Sequence, residues 1–271
     1  MTPKEFLMSL AYESGGEYTC LRLRRGRICM WPFHRSRLTV DPAAEDSLPA
    51  TIEAAARARF GAAVDTGDFM VTVVNANGEH HVHVCNMPAL AFVSDAAVPT
   101  VRPIATLVLG SGRRNPTVKH VDWIYERKAL EVTAAAKAAE LGLDAFGEVL
   151  LSHTVQGTTR LLEGLITNFF VLKGGKVYTA GDAVLPGSTR ALVMEACNSL
   201  GIPLLLEAPV LEESASWEAA FTTSVVRLIV PVATLYRQDQ TTGAWATHTV
   251  PTAPERLHQL RDMLLSLLAT A

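Results

Sequence analysis

The hydrophobic and polar positions of the chain form short patterned runs separated by turn residues. In the first part, alternation predicts four strands, over 17–23, 27–31, 69–75 and 80–85. The last two strands are joined by Asn77-Gly78, a pair typical of tight hairpin turns. Apolar residues at helical spacing predict a helix over 48–64. Residues 1–109 are therefore predicted to form a small α/β domain.

The remainder of the chain alternates between strands and helices. Predicted strands cover 106–109, 148–151, 171–172, 177–179 and 204–206, and predicted helices cover 123–141, 191–197, 212–218 and 254–270. The stretch Gly110 to Pro116 contains glycine, serine and proline, is polar and follows an apolar run, which favours a linker. We therefore predict an interdomain linker over 110–118 and a larger C-terminal domain over 119–271.

Composition narrows the function classes. The chain has 271 residues, 49% hydrophobic and 19% charged, which is enough for a large core and two domains. A net charge of -3 without a long basic run argues against nucleic acid as a partner. No stretch of about 18 uncharged apolar residues occurs, so neither export nor a membrane span is expected. A cytoplasmic location is the expectation that remains.

Metal chemistry is not expected either. The four cysteines lack metal-ligand spacing and suit free thiols in a reducing compartment. His80, His81 and His83 lie on one predicted strand, but no carboxylate or cysteine completes a ligand set at matching spacing. Ordinary strand histidines explain them better.

One acid interrupts an apolar stretch. Glu163 is flanked by Leu161, Leu162, Leu165 and Ile166. A buried carboxylate costs several kcal/mol or stays protonated unless it has a cationic or hydrogen-bonding partner. Backbone N–H groups at a strand end can supply that partner, so the acid is either structural or part of a site.

Two later stretches favour the site. In Leu185-Pro186-Gly187-Ser188-Thr189-Arg190, glycine permits unusual backbone angles, and Ser188 or Thr189 can cap a helix that starts there. Free N–H groups and the helix dipole at such a point suit a phosphate, although many capped helices hold no ligand. Thr223 and Ser224, after Phe221, either add hydroxyl donors to the same anion or end a strand.

Together and in this order, these stretches resemble the fold-type IV (class IV) pyridoxal-phosphate aminotransferases. That family includes branched-chain and D-amino-acid aminotransferases and aminodeoxychorismate lyase. The resemblance covers roughly residues 16–38 and 107–232; it rests on Glu163-Gly164 with Asn168 five positions on, then Gly187-x-Thr189-Arg190. It implies a two-domain D-amino-acid-aminotransferase-like α/β fold, with a larger C-terminal pseudo-barrel domain and pyridoxal 5'-phosphate as cofactor.

The resemblance assigns roles residue by residue. Lys119 matches the lysine that holds the cofactor covalently, just past the linker, and Glu163 matches the acid that faces the pyridine nitrogen. In His34-x-x-Arg37-Leu38, Arg37 matches a phosphate-binding arginine, whose planar fork suits that ligand. Asn168, Gly187, Ser188, Thr189, Thr223 and Ser224 complete the implied cofactor site. Tyr18 stands where the family often has an active-site aromatic residue, and Arg113 and Arg114 stand where a linker residue can contact substrate.

Three features depart from the family pattern. The helix 123–141 is longer than expected, which leaves Lys128 as the alternative to Lys119 if the extra residues lie elsewhere. Val225 replaces a second hydroxyl after Ser224, so either phosphate affinity is lower or Thr223 substitutes for the missing hydroxyl. Residues 84–87 contain no arginine, whereas the D-amino-acid branch tends to bind a carboxylate there.

The function implied by the resemblance is transfer of an amino group between an amino acid and a 2-oxo acid, with Lys119 as the base or acid that moves the α-proton. A lyase of the aminodeoxychorismate type would use the same residues, and a non-catalytic descendant would be expected to lack Lys119 or Glu163. The family works as dimers, so a homodimer is expected.

Overall fold

The computed structural model describes residues 1–38, 47–87, 92–93, 100–239, 241–252 and 254–270. Its internal contacts divide the chain into two compact units, one formed by residues 1–89, 118–126 and 268–271 and the other by residues 90–117 and 127–267. The first unit includes 118–126, which the sequence analysis places around and beyond the end of the linker. The predicted boundary over 110–118 stays a prediction.

The first unit is built on a four-stranded antiparallel sheet in the order β2-β1-β3-β4. Its strands are β1 (Gly15–Arg24), β2 (Arg27–Ile28), β3 (Asp68–Ala76) and β4 (Glu79–Asn86), and its helices include α1 (Pro3–Met8), α2 (Trp31–Arg35), α3 (Leu48–Phe60) with a 3₁₀ turn at Gly61–Asp65, and α4 (Asp122–Glu126). Alternate strand residues such as Leu21 and Val71 pack on Ile52 of α3 to form this unit's core.

In its described residues, the second unit contains the larger sheet and three α-helices. Its strands are β5 (Phe92–Val93), β6 (Thr100–Val101), β7 (Ile104–Val108), β8 (Glu148–Val155), β9 (Thr158–Gly164), β10 (Asn168–Lys173), β11 (Lys176–Tyr178), β12 (Leu204–Leu205), β13 (Ala219–Ser224), β14 (Leu228–Gln238) and β15 (Trp245–Thr249). Its helices are α5 (Lys128–Glu140), α6 (Ser188–Ser199), a 3₁₀ turn at Leu211–Ser216, and most of α7 (Glu255–Thr270).

The larger sheet closes on itself. Strands follow the order β12-β11-β10-β13-β14-β7-β8-β9, and β9 also pairs with β10, while β15 adds to β14. Side chains from all six strands of the closed ring meet in one cluster that includes Leu150, Leu161, Phe169 and Val232, as expected for the filled interior of a small barrel. The predicted mixed α/β fold with a barrel is confirmed.

Most predicted elements are confirmed, including the hairpin at Asn77-Gly78, where both residues have positive φ. Two predictions were wrong. The strand predicted over 27–31 ends at Ile28, because Trp31-Pro32 begins a helix in which proline occupies the first turn. The helix predicted over 123–141 is two helices, α4 and α5, interrupted at Arg127.

The interruption at Arg127 separates two helices that bury different faces. Ile124 of α4 packs with Phe6 and Val121, whereas α5 buries Ala134 and Ala138. Within the part of the chain that the structure describes, no helix has both the length and the apolar character needed to cross a bilayer.

Candidate active site

A β-bulge places Glu163. Leu150 pairs with Gly164 and Ser152 pairs with Leu161, so three steps on β9 are matched to two on β8. The extra residue changes the alternation of β9, and such bulges re-aim side chains beside functional sites. Glu163 pairs with Asn168 where β9 meets β10, so the acid belongs to the contact that closes the barrel. Its side chain is only 4% exposed.

Glu163 is held by donors on both carboxylate oxygens. Oε1 accepts a hydrogen bond from Nε of Arg113 at 2.8 Å. Oε2 accepts from the backbone N–H of Leu185 at 2.9 Å and, more weakly, from Nδ2 of Asn168 at 3.5 Å. The buried acid therefore has the cationic and hydrogen-bonding partners that its position requires. The cation is Arg113, which the sequence analysis did not link to Glu163.

Asn168 ties Glu163 to the loop that begins α6. Its Nδ2 also donates to the carbonyl of Leu185 at 2.7 Å. A Cβ added to Gly187 would lie 2.1 Å from Oδ1 of Asn168, so only glycine lets the loop approach this closely. The expected reason for Gly187 was wrong: its φ of -68° is open to any residue, and close approach rather than backbone angle demands glycine.

The predicted cap of α6 was also wrong. Gly187 is the N-cap, and no side chain caps the helix; Ser188 and Thr189 are already inside it and buried. The first N–H groups of a helix have no partner within the helix, so this end retains donors for an anion. The guanidinium of Arg190 donates to the Ala180 carbonyl at 3.0 Å; burial lowers the pKa of Arg190, and the charge of Glu163 opposes that shift.

The strand register places Thr223 on the same face of the sheet as Asn168 and Glu163. Asn168 pairs with Glu163 on one side and with Thr223 on the other, and directly paired residues point the same way. The Thr223 hydroxyl is buried and has no hydrogen-bond partner among the described residues. Ser224 alternates to the opposite face, where its hydroxyl accepts from the Arg227 N–H at 3.1 Å.

These observations fit a phosphorylated cofactor. An orphaned buried hydroxyl at Thr223, an uncapped helix start at Ser188 and a glycine cradle at Gly187 are donors and space that the protein itself leaves unused. Glu163, on the same loop network, can accept from a protonated ring nitrogen.

A second buried acid, Glu148, was missed by the sequence analysis. Its oxygens accept from the N–H groups of Val149 at 2.9 Å and Leu165 at 3.2 Å and from the hydroxyl of Thr167 at 2.8 Å. Burial raises the pKa of Glu148, and these donors together with Arg227 oppose the shift. An acid at the start of an apolar strand was a signal that could have found it.

Glu148 also explains the glycine after Glu163. A Cβ on Gly164 would lie 2.2 Å from Oγ1 of Thr167 and 2.6 Å from Cδ of Glu148. Glu148 thus holds the turn between Glu163 and Asn168 from beneath, and Gly164 makes room for that contact.

In the first unit, Lys119 lies against β1. The N–H of Tyr18 donates to the Lys119 carbonyl at 2.9 Å, and the N–H of Val121 donates to Gly16 at 3.0 Å. Nζ of Lys119 lies 4.8 Å from the centre of the Tyr18 ring. Lys119 and Tyr18, which the sequence analysis assigned to the site, are therefore in contact through both backbone and side chain, and Tyr18 is buried.

Arg37 lies near the same cluster. Its guanidinium stacks on Phe33 at 4.5 Å, and its backbone N–H donates to His34. Burial, together with smaller contributions from the charges of Arg37 and Lys119, lowers the pKa of His34 to about 3. His34 bonds Oγ1 of Thr19 through Nδ1 at 2.7 Å, so a neutral imidazole braces β1 beside both cations.

The remaining candidates are placed as follows. Arg113 is 5% exposed at its side chain and pairs with Glu163, whereas Arg114 is exposed. Lys128, the alternative to Lys119, is exposed at the first turn of α5. The substrate roles expected of Tyr18, Arg113 and Arg114 stay predictions.

Comparison with known proteins identifies the family. The family described as Amino-transferase class IV matches residues 16–235, and the chain therefore belongs to it. Members of this family depend on pyridoxal 5'-phosphate. No curated protein sequence matches the chain significantly.

Solved structures support the fold. A branched-chain aminotransferase from Thermoproteus uzoniensis, solved with norvaline, aligns with a TM-score of 0.70 at 18% identity over 94% of this chain and 86% of its own. A hypothetical aminotransferase from Mycobacterium tuberculosis, with α-ketoglutarate and PMP bound, gives 0.69 at 17% identity over 96% and 94%. A putative 4-amino-4-deoxychorismate lyase from Legionella pneumophila gives 0.68 at 14% identity over 93% and 91%. At these identities the likeness shows the fold alone.

Proposed function

We propose that this protein is a pyridoxal-phosphate-dependent aminotransferase that moves an amino group between an amino acid and a 2-oxo acid. Lys119 and Glu163 are its catalytic residues. The family is one of pyridoxal-phosphate-dependent enzymes, and its members' known activities leave the particular reaction open.

The observation that carries the proposal is the network around Glu163. A buried carboxylate, the amide of Asn168 and the loop into an uncapped helix are joined by hydrogen bonds from Leu185 and Asn168. Nothing in the packing of a barrel demands an acid at its closing contact, and a partner with a ring nitrogen and a phosphate accounts for both the acid and the unused donors.

Each residue then has a role. When bound, pyridoxal phosphate supplies an electron sink for the bonds to the substrate α-carbon. Lys119 holds the cofactor and moves the α-proton, Glu163 keeps the ring nitrogen protonated, and Asn168 orients Glu163. Thr223 and the N–H groups of Ser188 and Thr189 bind the phosphate, together with Arg37. We do not assign Ser224 to the phosphate, because its hydroxyl lies on the face opposite Thr223 and accepts from the Arg227 N–H.

A half-reaction tests the proposal. Purified protein loaded with pyridoxal phosphate is mixed with a panel of amino donors in the absence of any 2-oxo acid, and the absorption spectrum is followed. We expect one donor or more to convert the cofactor stoichiometrically to the pyridoxamine form, and an added 2-oxo acid to reverse the change. A loaded protein whose spectrum no donor changes would contradict the proposal.

The same experiment separates the lyase alternative, for which the similarity to the Legionella protein is the reason. A lyase releases pyruvate from aminodeoxychorismate without accumulating the pyridoxamine form. We also propose that the enzyme is a homodimer, because the family works as dimers. Light scattering at micromolar concentration tests the oligomeric state, and an active species of 29.2 kDa would contradict the dimer. A cytoplasmic location is proposed with it.

A further inference from the structure

Glu163, the carboxylate that the proposed function pairs with the ring nitrogen, already has a cationic partner in the protein. Nε of Arg113 donates to Oε1 of Glu163 at 2.8 Å, and the two side chains are 5% and 4% exposed. The guanidinium also donates through Nη2 to the carbonyl of Pro116. The pair is therefore a buried, charge-assisted hydrogen bond rather than a surface ion pair.

The remaining oxygen of Glu163 is engaged as well. Oε2 accepts from the N–H of Leu185 and from Asn168, and both bonds come from the loop network that leads into α6. Oε1 is thus the oxygen that a ring nitrogen would approach. A guanidinium at the same oxygen would place a second positive charge beside the ring, which disfavours the protonated nitrogen that the proposed chemistry needs.

Arg113 belongs to the segment 110–116, which lies against the barrel and also contains a hydrogen bond between two of its own residues. A Cβ on Gly112 would lie 2.9 Å from Cδ1 of Leu162, and the Gly110 carbonyl accepts from the Ser152 N–H at 3.1 Å. The bond from Arg113 to Pro116 lies within the segment, so it can persist when the bond to Glu163 breaks. Gly110, with φ of +85°, supplies a backbone position that few other residues adopt.

We propose that Arg113 is a built-in competitor for the cofactor: it neutralises Glu163 in the cofactor-free protein and must withdraw when the ring nitrogen binds. The inference rests on the proposed function, which assigns Glu163 to that nitrogen. Apparent affinity for the cofactor is then reduced by the fraction of molecules in which the pair is open. Arg113 is a positioning residue in this account, because it acts through Glu163.

The test compares cofactor affinity in matched variants of the cofactor-free protein. Pyridoxal 5'-phosphate is titrated against wild type, Arg113→Met and Arg160→Met, with tryptophan fluorescence and absorbance as readouts. Arg160 is an exposed arginine on the same strand as Glu163 and serves as the control. We expect Arg113→Met to lower the dissociation constant about tenfold or more, and Arg160→Met to leave it unchanged.

Two further readouts separate competition from a merely structural effect. The melting temperature of the cofactor-free protein should fall in Arg113→Met, because Glu163 loses its counterion, and saturating cofactor should restore most of the loss. In a Glu163→Gln background, Arg113→Met should no longer strengthen binding, since the competition needs the carboxylate. If Arg113→Met does not fold, Arg113→Lys, which lacks the Nε donor, should bind more tightly than wild type.

The outcomes distinguish this inference from the proposed function. Wild type that binds the cofactor together with an Arg113 variant that binds equally or more weakly overturns the inference and leaves the function in place. Absence of binding in wild type and in the Arg113 variants overturns both.

Discussion

The surroundings of Glu163 in the second unit, called here the acid side, and those of Lys119 in the first unit, called the lysine side, are built in different ways. Glu163 is fixed by three donors at a strand contact that closes the barrel, and its charge is balanced by Arg113. Lys119 is fixed by backbone hydrogen bonds to β1, and its ammonium group lies over the Tyr18 ring in a cluster whose other charge, Arg37, is also positive.

The difference reflects how the two sides balance their charges. A buried carboxylate must be neutralised in every state, so the acid side is complete in the protein alone. Lys119 and Arg37 are both positively charged and half-buried, a combination that suits an anion such as a phosphate. We therefore expect damage to the lysine side to affect chemistry and phosphate binding, and damage to the acid side to affect stability as well.

The largest effect is expected for Lys119→Ala. In the proposed function Lys119 holds the cofactor and moves the α-proton, which alanine cannot do, so turnover should fall by about 1,000-fold or more. The fold should persist, because the bonds between β1 and this segment are made by backbone atoms. Steady-state rates and circular dichroism check both points. Lys128→Ala, on the exposed surface of α5, is the control; a matching loss there would transfer the role to Lys128.

Glu163→Gln should affect both function and stability. A neutral amide cannot favour a protonated ring nitrogen, so turnover per bound cofactor should fall about 100-fold. The cofactor-free protein should also lose about 1–3 kcal/mol of unfolding free energy, because Arg113 is left facing a neutral acceptor. Denaturant titration and single-turnover rates measure the two effects. Unchanged activity per bound site would make Glu163 purely structural.

Gly187→Ala probes the link between the acid and the phosphate seat. The new Cβ would meet Oδ1 of Asn168, so the amide must move and cofactor affinity should drop about tenfold, with about 1–3 kcal/mol of destabilisation. In Asn168→Ala/Gly187→Ala the clash is absent, so the glycine substitution should cost much less in that background. Simple additivity in this double-mutant cycle would show that the two residues do not act through each other.

The last prediction concerns stability rather than activity, through pH and His34. Burial depresses the folded-state pKa of His34 from 6.5 to about 3, so this residue contributes stability that is fully present above pH 6.5 and is lost as pH falls toward 3. Its share of the loss is about 1.4 kcal/mol per pH unit in that window. Unfolding free energies from pH 7 to 4 should therefore decline less steeply in His34→Gln. Equal slopes would contradict a neutral, buried His34.

Local features of the sequence predicted the elements better than the contacts of the site. The hairpin at Asn77-Gly78 was predictable because those residues favour positive φ, and the start of α6 was predictable from the turn residues Pro186 and Gly187 before it. The pair of Arg113 and Glu163 was not, because it joins residues 50 positions apart through a barrel closure and a bulge that no short pattern encodes. Gly187 was singled out for the wrong reason, since its need arises from Asn168 on another strand.

The most direct measurement locates the covalent attachment of the cofactor. Protein loaded with pyridoxal phosphate is reduced with borohydride, digested and mapped by mass spectrometry. The account predicts one labelled lysine, Lys119, and loss of the label in Lys119→Ala. A label on Lys128, or no covalent label in a protein that binds the cofactor, would contradict it.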